Sequence, residues 1–318
     1  MPQQEPKNAE LPVVLLTGAS GYVGGRLISL LERQSVILRC LARAPDKLRP
    51  HVRKTTQVVK GDVLDSASLD EALHGVHTAY YLVHLMTDSK DFESEDRQAA
   101  TNFTDAAKKA GVRRIIYLGG LGDDSDPKLS PHLRSRHEVG KILRASGVET
   151  IEFRAGMVVG SGSLSYQLLK SLTDRLPVMI CPRWLTTATQ PIAVDDVLAY
   201  LLAARELPAG DSRIFEIGGT EVVTYADLIR EYARQKRLRR WLIFVPVLTP
   251  YLSGLWLALV TPAAYEVGRH LIEGLKNPTV VRDKKALDFF LVRPMGAKEA
   301  ISRAIATTTE AVVTSSSP

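Results

Sequence analysis

The sequence predicts an α/β protein in which a doubly wound parallel sheet carries helices on both faces, with a smaller C-terminal region attached. Three observations support this fold class. A β-branched apolar run at residues 13–17 leads into a glycine-rich turn, short apolar runs then alternate with amphipathic stretches, and this alternation loosens beyond residue 154. Strands that alternate with helices form parallel βαβ units with right-handed crossovers.

Short β-branched runs predict the strands, and apolar residues spaced three or four apart predict the helices. The N-terminal strands are expected at 13–17, 36–42, 57–60, 78–83, 113–118 and 148–154. The helices between them are expected at 27–33, 66–74, 92–110 and 133–145. In the C-terminal half we expect helices at 166–174, 195–205 and 224–236, and strands at 176–181, 191–194 and 213–217.

The glycine-rich turn at residues 17–24 is the motif around which the first βαβ unit is built. Gly18 permits the tight turn, Gly21 lets a pyrophosphate approach the backbone, and Gly24 lets the next helix pack against its strand. The helix N-terminus adds unbonded N–H groups and the positive end of the helix dipole. This pattern is typical of a Rossmann dinucleotide site, whose predicted cofactor-binding residues here are Thr17, Gly18, Ser20, Gly21, Tyr22, Val23 and Gly24.

These elements divide the chain into four parts. We expect a flexible N-terminus at 1–10 and a Rossmann NAD(P)-binding domain at 11–155. Residues 156–305 are expected to form a substrate region that is interleaved with this domain and completes the fold. The Thr- and Ser-rich residues 306–318 are expected to be a disordered tail.

The composition excludes several classes of function. The 318 residues are 24% charged and 45% hydrophobic with a formal net charge of +6, and no nucleic-acid-binding motif is present, so we expect no nucleic-acid partner. The two cysteines, Cys40 and Cys181, lie far apart, which favours buried thiols in a reducing compartment. The sequence shows neither a secretory signal nor a metal-ligand cluster, so we expect a cytoplasmic protein without a bound metal.

The end of the second expected strand bears on the choice between NAD and NADP. NAD-selective sites place an acidic residue there, whereas this strand ends in Ala42 and Arg43. Arg43 can bind a ribose 2′-phosphate through its guanidinium, and Lys47 can add positive charge. We therefore favour NADP(H), and NAD(H) stays open because Asp46 can also reach a ribose hydroxyl.

These motifs resemble the extended and atypical short-chain dehydrogenase/reductase superfamily, most closely its NmrA-like and YbjT-like NAD(P)H-binding proteins with a DUF2867-type C-terminal region. The resemblance rests on TGxxGxxG at 17–24, GDV at 61–63, YLGGL at 117–121, PIAVDDV at 191–197, LRSRHEVGKILRASGV at 133–148 and FRAGMVVGSGS at 153–163. It implies a Rossmann fold that binds a dinucleotide. It also implies that Asp62 and Val63 belong to the turn that contacts the adenine.

The same resemblance suggests where catalysis takes place. Reductases of this superfamily use a Tyr-x-x-x-Lys pair, whose spacing of four places both side chains on one helical face. The matching residues are His137 and Lys141, so a histidine replaces the tyrosine, and the superfamily's serine is absent from 117–121. The resemblance implies that Lys141 binds the nicotinamide ribose and that His137 exchanges the proton. The alternative is that His137 only closes a pocket or hydrogen-bonds the cofactor.

Further candidates lie near the carboxyl ends of strands, which face the ligand crevice in open α/β sheets. His84 ends the fourth expected strand and is predicted to contact cofactor, with a structural role as the alternative. Tyr80 and Tyr81 lie within that strand and are expected to pack in the core. Asn102 resembles an asparagine that supports superfamily active sites, although an amide on the helix surface is the favoured alternative, and 154–160 is expected beside the nicotinamide.

Residues 241–265 form a long stretch without a charged side chain, directly after the basic segment 234–240. Its length permits a membrane span, but Pro246, Pro250 and Pro262 oppose a straight one. We favour a buried core element or a cover over a lipophilic substrate. Peripheral contact with a membrane is the alternative, since basic residues flank the stretch.

The sequence therefore predicts an NAD(P)H-binding reductase that acts on a small, lipophilic carbonyl or quinone-like substrate. The absent tyrosine and serine favour an alternative from another class, a non-enzymatic NAD(P)H redox sensor or assembly factor. A nucleotide-sugar epimerase or dehydratase is a further alternative, because 191–197 resembles such enzymes although their proton-transfer pair is missing.

Overall fold

The computed structural model describes residues 11–85, 91–245 and 274–315, with side chains as far as residue 308. The central sheet contains β1 (Val13–Leu16), β2 (Ile37–Ala42), β3 (Gln57–Lys60), β4 (Val76–Tyr81), β5 (Arg114–Gly120), β6 (Glu149–Ala155) and β11 (Arg213–Ile217). Three small two-stranded sheets contain β7 (Val158–Val159), β8 (Val178–Cys181), β9 (Ala188–Thr189), β10 (Ile192–Ala193), β12 (Val223–Thr224) and β13 (Trp241–Phe244).

The strand order of the central sheet is β11-β6-β5-β4-β1-β2-β3, and every neighbouring pair is parallel. The chain winds outward from β1 in both directions, so that Leu16 pairs with Cys40 on one side and with Tyr80 on the other. This arrangement confirms the predicted doubly wound Rossmann fold. Ligands in such sheets bind at the carboxyl ends of the strands where the order reverses, here β1 and β4.

Helices cover both faces of the sheet. Leu27, Leu31 and Leu201 belong to the core on one face, and Leu69 and Phe103 belong to the core on the other. The helices are α1 (Tyr22–Leu31), α2 (Pro45–Leu48), α3 (Ser66–Leu73), α4 (Phe92–Lys109), α5 (Pro131–Ala145), α6 (Leu164–Arg175), α7 (Val194–Ala203), α8 (Tyr225–Gln235), α9 (Ala286–Phe289) and α10 (Ala297–Ser315).

The C-terminal half adds a third core and also contributes to the main sheet. Leu172 on α6, Ile229 and Tyr232 on α8, and Ile301 on α10 are buried together. The strand β11 comes from this half of the chain, yet it pairs with β6 at the edge of the central sheet. The two halves therefore share one sheet.

Several element ends differ from expectation for identifiable reasons. Helix α1 begins at Tyr22 and not at 27, because Gly24 and Gly25 interrupt the apolar pattern in its first turn, although Tyr22 and Val23 pack against the core. Helix α10 continues to Ser315, although a disordered tail was expected from 306. Thr308 Oγ1 donates to Ser161 Oγ at 3.0 Å, which joins the start of the expected tail to the rest of the protein.

Only the beginning of the apolar stretch falls within the described residues. Strand β13 pairs in parallel with β8, and Trp241 at its start is 71% exposed. The expectations for 246–265, like the expected flexible segment 1–10, concern residues that lie outside the described ones. In the part of the chain that the structure describes, no helix is long and apolar enough to cross a membrane.

Candidate functional site

The glycine-rich turn joins β1 to α1 with three glycines in a close arrangement. Gly18 has a φ of +68°, and a Cβ there would collide with the carbonyl oxygen of Leu82, just beyond β4. A Cβ on Gly24 would collide with the carbonyl of Gly18, so the helix lies directly against the turn. Thr17 Oγ1 donates to the Tyr80 carbonyl at 3.0 Å and accepts from the Leu82 amide at 3.2 Å. These contacts fix the ends of β1 and β4 side by side.

A crevice of about 200 Å³ lies at this edge of the sheet. It includes seven of the predicted cofactor residues, namely Gly18, Ser20, Gly21, Arg43, Asp62, Val63 and His84. It also includes residues that the sequence did not single out, namely Leu41, Ala42, Gly61, Leu82, Val83 and Leu85. All of these follow the carboxyl ends of β1 to β4 or end β2, so the strand-end rule could have found them.

Other predicted cofactor residues lie outside this lining. Thr17 and Gly24 are buried and shape the turn. Tyr22 carries the guanidinium of Arg26 over its ring at 4.2 Å, and burial raises the pKa of its phenol to about 12. Val23 packs against the core beneath the turn, Lys47 is exposed on α2, and Lys141 is exposed on α5.

The acidic turn after β3 is held in place from two directions. Asp62 Oδ1 accepts the Leu64 amide at 3.0 Å, and the Ser68 hydroxyl contacts the backbone of Asp62. Asn102 on α4 donates to the carbonyls of Val63 and Leu64 at 3.1 and 3.0 Å. Asn102, which was expected to support the active site, thus holds the turn that lines the crevice.

One basic and one acidic side chain near the end of β2 bear on the choice between NADP and NAD. Arg43 is exposed and lines the crevice. The carboxylate of Asp46 pairs with Arg49 at 2.9 Å, on the helix that follows. The cation therefore faces the crevice, whereas the acid that could have contacted a ribose forms an exposed pair with Arg49, with its own side chain 91% exposed.

A chain of polar side chains begins at His84 on the crevice wall. Nε2 of His84 lies 3.0 Å from Nδ1 of His132 on α5, and its Nδ1 lies 3.4 Å from Asp96 Oδ2 on α4. Asp96 is 3% exposed and accepts the Ser135 hydroxyl at 2.7 Å and the Leu85 amide at 3.0 Å. Sequence reasoning did not single out His132, Ser135 or Asp96.

The pKa values of these side chains favour a charged carboxylate on Asp96 and an uncharged imidazole on His84. Burial raises the pKa of Asp96, but the contacts with His84, Ser135 and the Leu85 amide outweigh it and leave the pKa below its ordinary value. Burial, together with Arg136, lowers the pKa of His84 despite the opposing effect of Asp96. At neutral pH this favours an ionised Asp96 beside an uncharged His84.

The predicted catalytic pair lies elsewhere on α5. His137 is buried, with Nε2 2.9 Å from the Gly120 carbonyl and Nδ1 2.5 Å from Asp124 Oδ1. Asp124 also pairs with Arg154 at 2.8 Å, and Arg154 pairs with the buried Glu152 at 2.7 Å. Burial and Arg154 lower the pKa of His137, against Asp124 and the Gly120 carbonyl. Both ring nitrogens thus face protein oxygen atoms, and the network opens to solvent at Asp124, whose side chain is 61% exposed. His137 does not line the crevice.

The remaining expectations are mixed. Tyr80 and Tyr81 are fully buried core residues, as predicted. Burial raises the pKa of Cys40 to about 12 and that of Cys181 to about 11, which confirms two buried, free thiols. Of the segment 154–160, Arg154 belongs to the charge network already described. Among the described residues, no group of three or more His, Cys, Asp or Glu is arranged to hold a metal.

A second, apolar cavity of about 30 Å³ lies in the C-terminal region. Met157 lines this cavity and lies two residues beyond the end of β6. One wall of the cavity is therefore on the same carboxyl side of the sheet as the crevice. The indole Nε1 of Trp184 is buried there without a hydrogen-bond partner among the described residues. The lining is Met157, Ser165, Leu168, Leu169, Leu172, Trp184, Leu185, Tyr225, Ile229 and Leu275.

The crevice fits a dinucleotide. Gly21 is the exposed N-cap of α1 and no side chain caps the helix there, so backbone N–H groups are available to a phosphate. A Cβ at Gly21 would lie 3.1 Å from the Gly18 carbonyl oxygen, which is closer than an ordinary contact. A nicotinamide cofactor would thus be held by the turn, by Asp62 and Val63 at the adenine end, and by Arg43 at the ribose. The fold and this crevice define a dinucleotide-binding protein of the Rossmann class.

Comparison with known proteins identifies the family. Residues 18–175, about half of the chain, match the model of a family described as NAD(P)H-binding. The chain belongs to these NAD(P)H-binding proteins, and it is of the atypical short-chain dehydrogenase/reductase type that the sequence motifs resemble.

Relatives and solved structures agree with this membership. The chain is 28% identical over 230 residues to a (4-alkanoyl-5-oxo-2,5-dihydrofuran-3-yl)methyl phosphate reductase of Streptomyces griseus, covering 70% of this chain and 73% of the relative. It is 26% identical over 266 residues to a ceramide reductase of Caulobacter vibrioides, covering 81% and 82%. An NADPH-dependent quinone oxidoreductase of Escherichia coli, solved with NADPH, has the same fold, with a TM-score of 0.72 at 19% identity over 92% of this chain and 99% of that one.

Proposed function

We propose that this protein is an NADPH-dependent reductase of a small carbonyl or quinone-like substrate with an apolar portion. The observation that carries the proposal is the crevice itself, in which the N-terminus of α1 and the guanidinium of Arg43 face the same space. The two relatives described above are named as reductases, which supports the same class of reaction.

The preference for the phosphorylated cofactor rests on charge. An exposed guanidinium at the end of β2 complements a ribose 2′-phosphate, and a free carboxylate in its place would repel one. Asp46, the acid nearest to Arg43 in sequence, is paired with Arg49. A charged hydrogen bond contributes about 1.5–3 kcal/mol, which corresponds to roughly 10- to 100-fold in affinity.

The names of relatives suggest that the substrate has an apolar portion, whereas the apolar cavity, at about 30 Å³, has room for only about one water molecule. Its walls come from α6, α8 and Met157, and nearly all of the lining side chains are apolar. The names of the ceramide reductase and the quinone oxidoreductase suggest substrates that are largely apolar, which supports this class.

A titration with both cofactors tests the proposal. The wild-type protein should bind NADPH at least tenfold more tightly than NADH, measured by the fluorescence of the reduced nicotinamide. Arg43→Ala should remove most of that difference, and Lys54→Ala, which removes an exposed cation after β2 without touching the crevice, should keep it. Equal affinities of the wild-type protein for the two cofactors would contradict the NADP preference.

A second experiment separates an enzyme from a sensor. The sensor is favoured by Gly119 and Gly120, which end β5 where the superfamily's reductases carry a serine. NADPH oxidation should be measured against a panel of aldehydes, ketones and quinones of increasing chain length. Turnover that improves with the apolar length of the substrate supports the reductase. Tight NADPH binding without turnover of any member favours the sensor.

A further inference from the structure

The strands β8 and β13 form a small parallel sheet whose outer face is apolar and exposed. Val178 pairs with Trp241 and Ile180 pairs with Ile243, so these four side chains lie next to one another. Each of the four is between 47% and 71% exposed, whereas Met179, between the two residues of β8, is fully buried in the C-terminal core. We call these four residues the outer face. An exposed apolar patch of this kind marks a surface that meets another molecule or a membrane.

The chain on both sides of the outer face is basic and carries no acidic side chain. Residues 175–187 and 235–245 contain six arginines and lysines and neither aspartate nor glutamate. Lys236, Arg237 and Arg239 are exposed, and none of them forms an ion pair with an acid among the described residues. The acids of the preceding helix α8 are paired with arginines of the same helix. The surface beside the outer face therefore carries an uncompensated positive charge.

Residues 236–240, which we call the basic turn, connect α8 to β13 in a fixed position. Arg240 donates to the carbonyls of Thr173 and Asp174 in the last turn of α6, which holds the turn against the C-terminal core. Arg237 has a φ of +56°, a left-handed conformation that favours glycine. The chain thus carries a cation beside the outer face at a position where glycine would be less strained.

We propose that the outer face and the basic turn bind the surface of an anionic lipid bilayer. Trp241 and its apolar neighbours would enter the boundary between headgroups and acyl chains, where tryptophan is enriched in membrane proteins. The cations of the basic turn would lie at the headgroups, where each one strengthens binding about fivefold. An apolar patch on another protein would cover the outer face but leave these cations without counter-charges. An anionic bilayer supplies both an apolar layer and the counter-charges.

Two further observations bear on this surface. The sequence that follows β13 has no charged side chain before Glu266, so the apolar character of the strand continues along the chain. The lining of the dinucleotide crevice includes no residue of the outer face or of the basic turn. Binding to a bilayer therefore goes beyond the reductase function proposed above, and substitutions on this surface should leave the Kd for NADPH unchanged.

Cosedimentation of the intact protein with lipid vesicles tests the proposal. The protein should bind vesicles of equal parts phosphatidylcholine and phosphatidylglycerol, and binding should weaken as the salt concentration rises. Vesicles of pure phosphatidylcholine should bind at least tenfold more weakly. Trp241→Ser should weaken binding to the anionic vesicles about tenfold, because the indole is the largest apolar group of the outer face. Leu291→Ser, at an exposed leucine outside the outer face, should change binding less than twofold.

Arg237→Gly separates binding from folding. It removes one cation, so binding to the anionic vesicles should fall about fivefold. It also relieves the left-handed conformation, so the Tm should rise and a loss of folded protein cannot explain the weaker binding. Lys54→Ala removes an exposed cation elsewhere and should leave vesicle binding within twofold. Equal effects of the two substitutions would show a response to net charge alone and would overturn the assignment of the basic turn.

A fluorescent label on Val178→Cys reports what covers the outer face. The native thiols of Cys40 and Cys181 are buried, so an environment-sensitive maleimide reacts with the introduced thiol. Its emission should shift to the blue on anionic vesicles, whereas the same label on Leu291→Cys should not shift. A blue-shifted emission before vesicles are added would show that the chain itself or a second copy covers the outer face, and would overturn the proposal. Failure of the wild-type protein to bind anionic vesicles would overturn it equally, and would leave the cofactor titration unaffected.

Discussion

The contact between α1 and the glycine turn gives the sharpest test of how the cofactor site is built. Gly24 is buried in the first turn of α1, and its next neighbour Gly25 is exposed on the same helix. A Cβ on Gly24 would collide with the Gly18 carbonyl oxygen and lie 2.8 Å from its carbon. A Cβ on Gly25 would lie 3.5 Å from the Ala19 carbonyl oxygen, an ordinary contact. Gly24→Ala and Gly25→Ala thus make the same chemical change at adjacent positions.

The two substitutions should change the free energy of unfolding in opposite directions. Replacing glycine by alanine within a helix stabilises it by about 1 kcal/mol, and this gain applies to both positions. Overpacking costs about 1–3 kcal/mol, and we expect about 3 kcal/mol at Gly24, because the obstacle is backbone and cannot rotate away. Gly24→Ala should therefore destabilise by about 2 kcal/mol, whereas Gly25→Ala should stabilise by about 1 kcal/mol. For a chain of this length, roughly 1.5 °C of Tm per kcal/mol gives a separation of about 4–5 °C.

Thermal unfolding and NADPH titration of the two variants measure both consequences. Relief of the Gly24 collision moves the helix N-terminus away from the turn, so NADPH affinity should fall at least tenfold in Gly24→Ala and stay within twofold in Gly25→Ala. If the two variants melt at the same temperature and bind NADPH equally, the close packing of helix and turn does not determine the site.

Three further outcomes are expected. Thr224 caps α8 in a reciprocal capping box with Asp227, so Thr224→Ala should lower the free energy of unfolding by about 1 kcal/mol in urea, and Thr224→Ser should lower it less. The buried thiols of Cys40 and Cys181, with pKa values raised to about 12 and 11, should resist a thiol reagent at pH 8 until urea unfolds the protein; rapid native labelling would contradict their burial. Burial lowers the pKa of His84 and of His137, so the unfolded chain binds more protons than the folded protein below about pH 6.5. The free energy of unfolding should therefore fall as the pH drops from 7 toward 5. An unchanged midpoint of urea unfolding over that range would refute this prediction.

The fold was predictable because each βαβ unit leaves a strong local pattern. The apolar run at 57–60 coincides with β3, and the β11 prediction at 213–217 was correct to the residue. The pattern failed where packing uses residues without large side chains. The first turn of α1 packs through Gly24, and β5 continues through Gly119 and Gly120, which pair with Arg154 and Ala155 of β6. Hydrophobic periodicity does not register such residues.

The glycine turn that lines the crevice was likewise accessible from sequence, because backbone geometry decides it. Gly18 and Gly21 are required by the turn, and Arg43 follows directly from the end of β2. The side chains from more distant elements that contact His84 on the crevice wall were not accessible in this way. Asp96 and His132 are separated by 36 positions, and only the packing of α4 on α5 joins both of them to His84.

The position of helix α5 decides which of its residues lie near the ends of the strands. Matching on lysine selects His137 and Lys141, which have the correct spacing of four. Spacing fixes which side chains share a face, but not how far along its axis a helix stands relative to the sheet. Ser130 caps α5 through the Leu133 amide, and the helix therefore begins at Pro131, just beyond the loop from the carboxyl end of β5. The crevice lies at those strand ends, so the first turn of α5, which contains His132, contacts His84 on the crevice wall. Lys141 lies two and a half turns further along α5, on the exposed surface.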